Sequence, residues 1–410
     1  MRKLTGLLGL LAVLCAPVAS AATQEIRALF QPDSSQPNKN TFVNKTPNSG
    51  YCASYPVQCA DRNTFSIQLP VRFNGTRAIA RGEQVGIKAP AGWRQLTVTN
   101  QLTQETETVE VRISGMGTEY VLSQPAADLV GLPGQVLEGH RRLWIGDSWV
   151  YPGLPCTNTN LGAYSPTNFR FFWRTPQEAW CRKTAEYRIP SMYFNTLDFE
   201  YELRTPDPMG MSSGQYSGSL TYTLGPGGDF EMGPAMVPDD QTLTLDFVLD
   251  VQHTLKVDLP PGGNRITLEP EGGWQRWLDG GQKPTQIYRD QPFYISSSSR
   301  FRVWMECAES AGAALNDGCN MKSPVTSRRL KFYPKLTLPV GIKDNIGRDV
   351  TLQMIQHKQP SGIYSPQHYV DRKQGSLRFK MDIADVNYIL KPGMSDDFNG
   401  FVTIIWDSDV

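Results

Sequence analysis

Two short motifs in this chain carry residues suited to nucleophilic chemistry. Gly146-Asp147-Ser148 offers a hydroxyl, and Asp250-Val251-Gln252-His253 offers a carboxylate three residues before an imidazole. A serine becomes a nucleophile when a base lies within hydrogen-bond reach and a carboxylate orients that base. The chemistry would be ester hydrolysis. The spacing argues against it. Asp250 and His253 fall in the strongest period-two run of the chain, Leu243 to Leu259, and a strand there sends them to opposite faces. His253 sits among the apolar positions and reads as a core histidine. Trp149, Tyr151, Pro152 and Gly153 follow Ser148, so no helix is expected after it. There is no H-E-x-x-H, and Gly225-Pro226-Gly227-Gly228 reads as a turn rather than a phosphate cradle. Asp239-Asp240 and Asp396-Asp397 read as solvated turns. No catalytic residue, metal or cofactor is expected.

Residues suited to sugar recognition are denser. A sugar site combines an aromatic plate with polar side chains that bond the hydroxyls. Residues 144 to 181 hold Trp144, Asp147, Trp149, Tyr151, Asn158, Asn160, Tyr164, Asn168, Arg170, Trp173 and Trp180. Trp144, Asp147, Trp149, Tyr164, Asn168, Arg170 and Trp173 are the candidate carbohydrate-binding set. The competing assignment for each aromatic is the core. Trp274, Trp277 and Trp304 read as core.

Cysteines and the N-terminus set the compartment. Arg2 and Lys3 precede an apolar run from Leu4 to Val18, and Ala19-Ser20-Ala21 supplies small residues for cleavage. Residues 1–21 read as a secretory signal peptide, too short to span a membrane. Its loss removes Cys15, Arg2 and Lys3, so 40 basic against 40 acidic residues becomes 38 against 40. That balance gives no reason to expect nucleic acid as a partner. Six of the seven cysteines remain. An even count in an exported chain reads as disulfides. Local spacing favours Cys52–Cys59, Cys156–Cys181 and Cys307–Cys319. No histidine stands at ligand spacing from a cysteine, which disfavours a metal site.

The elements that must position these residues are strands. In the run 243–259, alternate positions are Leu243, Leu245, Phe247, Leu249, Val251, Leu255, Val257 and Leu259. This is one long strand or two collinear ones with a single buried face. Similar alternation occurs at Phe65 to Phe73, Val109 to Ile113, Leu197 to Leu203, Leu336 to Val340 and Leu377 to Ile383. Helical patterns are short, as at Trp274 to Leu278. The chain is expected to be all-β, with two antiparallel sandwiches. The turn-rich stretch 225–240 is the expected boundary, giving one domain over 22–235 and another over 236–410. The last apolar run, Phe401 to Trp406, is a strand that needs a partner.

Three stretches of the second half resemble the pilin domain of chaperone–usher fimbrial subunits. They are T-L-D-F-V-L-D-V-Q-H-T-L-K-V-D-L-P (244–260), F-R-V-W-M-E-C (301–307) and F-N-G-F-V-T-I-I-W-D (398–407). The resemblance implies an incomplete immunoglobulin-like sandwich completed by a strand from another polypeptide, first a periplasmic chaperone and then an adjacent subunit. Val402, Ile404 and Trp406 share the face expected beside that borrowed strand. Asp409 stands where the family often has tyrosine. The first half is too long for a shaft subunit, and T-P-N-S-G-Y-C (46–52) is similar to the start of two-domain tip adhesins.

The resemblance implies a fimbrial tip adhesin, exported through the periplasm and placed at the cell surface by an outer-membrane usher. Its first domain would be a lectin-like sandwich that binds a host or surface glycan or receptor. The alternative within the same assembly is a minor or initiator subunit without lectin activity. The alternative from another class is a secreted carbohydrate-active esterase using Ser148, because the Gly-Asp-Ser and D-x-x-H motifs resemble blocks of the GDS-type lipases and esterases.

Overall fold

A computed structural model describes residues 21–311 and 318–408. All but the last residue of the expected signal peptide, and Asp409, lie outside the described residues. The fold is all-β. Among the described residues the longest α-helices have seven residues, Val136–Arg142 and Ile383–Ile389. The strands pack around two main apolar cores.

The first core is organised by one strand, Thr106–Leu122, which changes partners along its 17 residues. It pairs with Arg94–Asn100 over its first part and with Asn168–Arg174 from Gly115 to Val121. Leu197–Arg204 pairs with it from Glu110 to Gly117, and Met192–Phe194 from Tyr120 to Leu122. The register shifts between Glu200, opposite Gly115, and Tyr201, opposite Ile113. Ser114 is therefore the extra residue of a bulge, which raises local twist and lets one sheet curl over the core. Two glycines follow for a steric reason. A Cβ at Gly115 would lie 2.6 Å from the Phe172 ring, and one at Gly117 would lie 2.4 Å from the Phe171 carbonyl oxygen.

The period-two run 243–259 divides between the cores and leaves its last member, Leu259, exposed. Thr242–Val251 pairs antiparallel with Gly214–Thr223 and parallel with Ala22–Phe30. Its Leu243, Leu245, Phe247, Leu249 and Val251 are buried in the first core. Burying a side chain of this size contributes about 1.5–3 kcal/mol, so five of them commit the strand. Leu255–Asp258 then pairs with Ile287–Ser297, and Leu255 and Val257 pack against the second core. The first core extends past the expected division at 235/236. Phe230, Met232, Ala235 and Met236 are buried in the first core, and Met236–Pro238 pairs with Phe73–Gly75. The cores divide between Val251 and Leu255. Alternation shows that one face of a strand is buried; it carries no information about which core buries it.

In the second unit, Leu255–Asp258, Ile287–Ser297, Val370–Met381 and Arg329–Thr337 lie side by side in one sheet. Arg302–Cys307 and Val402–Asp407 form a separate pair. Phe293, Ile295, Val303, Met305, Leu336 and Leu377 belong to the core that these strands share. The alternation expected as far as Ile383 stops at Met381, because the Asp382 carboxylate accepts from the Ala384 N–H and caps the helix Ile383–Ile389. Disulfides join Cys52–Cys59, Cys156–Cys181 and Cys307–Cys319, the locally spaced pairing expected.

Candidate functional site

The expected sugar constellation is taken apart by the fold. Trp144, Trp149 and Trp173 are buried in the first core. Trp149 stacks on Trp173 with ring centroids 5.0 Å apart, and the Trp173 Nε1–H donates to the Trp149 carbonyl at 2.7 Å. The Trp144 Nε1–H donates to the Tyr120 hydroxyl at 3.3 Å. An aromatic plate for a sugar must be open on one face, and these three are not. A dense run of tryptophan fits a core built around a curled sheet equally well, and the sequence alone does not separate the two.

The other four residues are accessible to different degrees. Tyr164 is 48% exposed at the tip of the hairpin formed by Thr157–Tyr164 and Asn168–Arg174. It lies opposite Phe169 and stacks on that ring. Asn168 and Arg170 flank Phe169 in sequence and point to the other face of the hairpin. Asp147 lies elsewhere, in a left-handed turn, paired with the Arg141 guanidinium at 3.0 Å. That guanidinium holds its carboxyl below the usual aspartate range.

On the face that carries Arg170, the fold assembles charged residues that sequence reasoning did not connect. Asp198 and Glu200 alternate with the apolar Leu197, Phe199 and Tyr201, so they stand on the sheet face away from the first core. Both are buried nonetheless, because the disulfide-closed segment around Tyr51–Ser54 and Pro56–Ala60 lies over them. Tyr51 stacks on Phe172 at 4.3 Å. Asp198 lies 3.6 Å from Arg170 Nη2 and 3.5 Å from the Tyr51 N–H, and burial pushes its carboxyl up to about 7. Thr64 donates to Glu200 Oε1, while Glu200 Oε2, Ser114 Oγ, Arg112 Nε and Arg174 Nε are buried without a hydrogen bond. The signal in the sequence was the charge at alternate positions, Asp198, Glu200 and Glu202 on one strand, Arg170 and Arg174 on another. No spacing rule pairs strands that are about 30 residues apart.

The motif residues of an ester hydrolase do not meet. Ser148 is buried, and its carbonyl is one of three, with Gly146 and Tyr151, that accept from the Lys183 ammonium at 3.1–3.3 Å. Burial brings that ammonium down to about 8. The strand ends at Val251, so His253 lies beyond it rather than on it. Its Nε2–H donates to the Met211 carbonyl at 2.9 Å, and its Nδ1 accepts from the Ser298 hydroxyl at 3.1 Å. Both nitrogens are thus occupied at the junction of the two units, and burial lowers the imidazole's proton affinity. Cys52, Cys59 and Glu200 cluster closely enough to suggest a metal site, but the two sulfurs are joined in a disulfide and have no lone thiolate to give.

The second candidate site is a sheet edge. Val402–Asp407 pairs with Arg302–Cys307 along one side, and among the described residues no strand pairs with its other side. Val402, Ile404 and Trp406 face the second core but are only partly buried. Trp406 touches Phe293 and Phe301, with centroids 5.1 and 5.7 Å away. Leu255–Asp258 is likewise paired on one side alone, with Ile287–Ser297, and its Leu255 and Val257 are partly buried against the same core. Among the described residues, two half-paired strands thus pack apolar side chains only partly buried against the same core.

No family model matches the chain, and no curated protein matches it in sequence. Among solved structures it is similar to CfaE, the adhesive subunit of CFA/I fimbria of enterotoxigenic Escherichia coli. Identity is 8%, coverage is 94% of this chain and 92% of the other, and the TM-score is 0.27. A chaperone–tip adhesin complex of CFA/I fimbriae matches at 9% identity over 95% of this chain and 97% of the other, with a TM-score of 0.27. The CsuC–CsuE chaperone–tip adhesion subunit complex of the archaic chaperone–usher Csu pili of Acinetobacter baumannii matches at 8% identity. It covers 95% of this chain and 99% of the other, with a TM-score of 0.22. Superpositions this loose carry no argument about function.

Proposed function

We propose that this chain is the tip adhesin of a chaperone–usher fimbrium. Its second unit accepts a strand from another polypeptide, first the periplasmic chaperone and then the adjacent subunit. Its first unit is a receptor-binding head. The observation that carries the reading is the pair of half-paired strands, Leu255–Asp258 and Val402–Asp407, whose apolar residues are only partly buried against the same core. A strand laid there gains main-chain hydrogen bonds from an unpaired edge, and its alternate apolar side chains complete the core. Left open, such an edge invites aggregation. The tip position is supported at the other end of the first unit. Ala22–Phe30 is laid in a nine-residue parallel ladder against Thr242–Val251, with Ile26, Ala28 and Phe30 buried. That segment is engaged at home and is not free to reach into a neighbour.

The head contacts a host or surface glycan through accessible residues of the hairpin, Tyr164 or the opposite face with Asn168 and Arg170. It performs no hydrolysis, and export proceeds through the periplasm to an outer-membrane usher. The test is to express residues 252–410 alone and with a donor strand fused after Val410. The fused protein should be monomeric and unfold cooperatively, and the unfused one should aggregate or melt at least 10 °C lower. Equal stability of the two would mean that the unit is complete and the reading wrong.

A further inference from the structure

The second unit carries a cleft that nothing in strand acceptance uses. It lies between Arg329–Thr337 and the segment 353–364, and has a volume of about 240 Å³. Its apolar lining includes Val303, Leu336 and Tyr364, all buried. Gln353, Gln356 and Gln359 also line it, and among the described residues their three amides make no hydrogen bond within the protein. None of the lining residues is charged.

The backbone around the cleft is held firmly. The Ile355 N–H donates to the Pro334 carbonyl, Met305 N–H to Gln356, Lys358 N–H to Met305, and Ser361 N–H to Val303, at 2.8–3.1 Å. Gln353 and Met354 pair with Leu336 and Lys335. The frame is therefore fixed before any ligand arrives, while the amide side chains stay available.

This combination selects among ligands. A charged ligand would have no countercharge to offset its desolvation. An extended peptide would need a continuous row of free backbone groups along the segment, and the Ile355, Lys358 and Ser361 N–H groups and the Gln356 carbonyl already bond inward. A neutral saccharide matches both surfaces. Each amide offers donors and an acceptor, as paired ring hydroxyls require, and the exposed Pro360 ring beside the cleft suits the C–H face of a sugar. We propose that this cleft binds a neutral saccharide of about one hexose ring. The proposal does not depend on the head's receptor or on strand acceptance.

The experiment uses the full-length exported chain. Methyl glycosides of glucose, galactose, mannose and N-acetylglucosamine are titrated while hydrogen exchange is followed by mass spectrometry. At least one should slow exchange in 353–364. The triple variant Gln353→Ala, Gln356→Ala, Gln359→Ala should weaken that glycoside by at least about tenfold, since each lost hydrogen bond costs about 1 kcal/mol. Its melting temperature should stay within 2 °C of the parent. Should the triple variant fold poorly, Gln359→Ala alone, at an exposed position, should weaken binding about threefold to fivefold. The proposal is overturned if no glycoside protects 353–364, if an anionic sugar alone does so, or if the well-folded variants bind like the parent.

Discussion

Asp198 is the residue whose surroundings depart most from what its type would suggest. It is 2% exposed, lies under the Cys52–Cys59 segment, and has a carboxyl raised to about 7 by burial. A carboxyl raised above its unfolded value stabilises the fold while protonated. That contribution is complete below about pH 3.8 and is lost as pH rises to about 7. The Arg170 guanidinium offsets part of the loss and does not cancel it. Asp198→Asn should therefore be more stable than the parent at pH 8, by about 2 kcal/mol, and nearly equal to it at pH 4. Melting curves at the two pH values check this, and a parent that is the more stable at pH 8 refutes it. Ser148 supplies the contrasting case. It is buried beside the Lys183 cage and remote from His253 in its hydrogen bonding. Ser148→Ala should leave turnover of acetylated sugars at background and change stability by less than about 1 kcal/mol. Hydrolysis by the parent that the substitution abolishes would favour the esterase.

At the scale of elements, a half-paired strand decides more than any side chain. Val402, Ile404 and Trp406 form a face only partly buried against the second core, and Trp406 reaches Phe293 and Phe301. On the proposed reading, replacing all three by serine should abolish capture by a periplasmic chaperone in a pull-down and remove the chain from assembled fibres. The head fragment should be unaffected. Retained capture would mean that docking does not use this face. The strand Thr242–Val251 makes the complementary point. Its five buried side chains, Leu243 through Val251, pack with Ile26 and Phe30 of the parallel neighbour. A head ended at residue 235 discards this strand and strips one side of Ala22–Phe30. Residues 22–251 should be soluble and unfold cooperatively, whereas 22–235 should aggregate or lose more than 5 kcal/mol, taking about 1.5–3 kcal/mol for each buried side chain removed. Comparable solubility and stability of the two fragments would show that the core does not need the strand.

For the whole molecule, the class of fold, the disulfide pairs and most strands were legible in the sequence, because each is a local property. Period two in an 8-residue window such as Leu197–Arg204 reports a half-buried strand directly. Cys52 and Cys59 pair because seven residues of chain keep them close. The shared face of Val402, Ile404 and Trp406 is likewise a matter of parity. What the sequence did not contain is the choice of partner. Nothing in the alternation of Leu243 to Leu259 says that its first five apolar residues belong to one core, that Leu255 and Val257 pack on another, and that Leu259 is exposed. That is settled by which strands lie beside them, Ala22–Phe30 and Gly214–Thr223 on one side of the junction and Ile287–Ser297 on the other. The same holds for the candidate site. Trp144, Trp149 and Trp173 have the composition of a sugar plate, and packing against Tyr120 and Phe171 made them core. Asp198 and Glu200 have the composition of solvated charges until a disulfide-closed loop covers them. Residue type and spacing determine which side of an element is apolar; burial depends on what the rest of the chain lays against that side, and only the tertiary structure decides it.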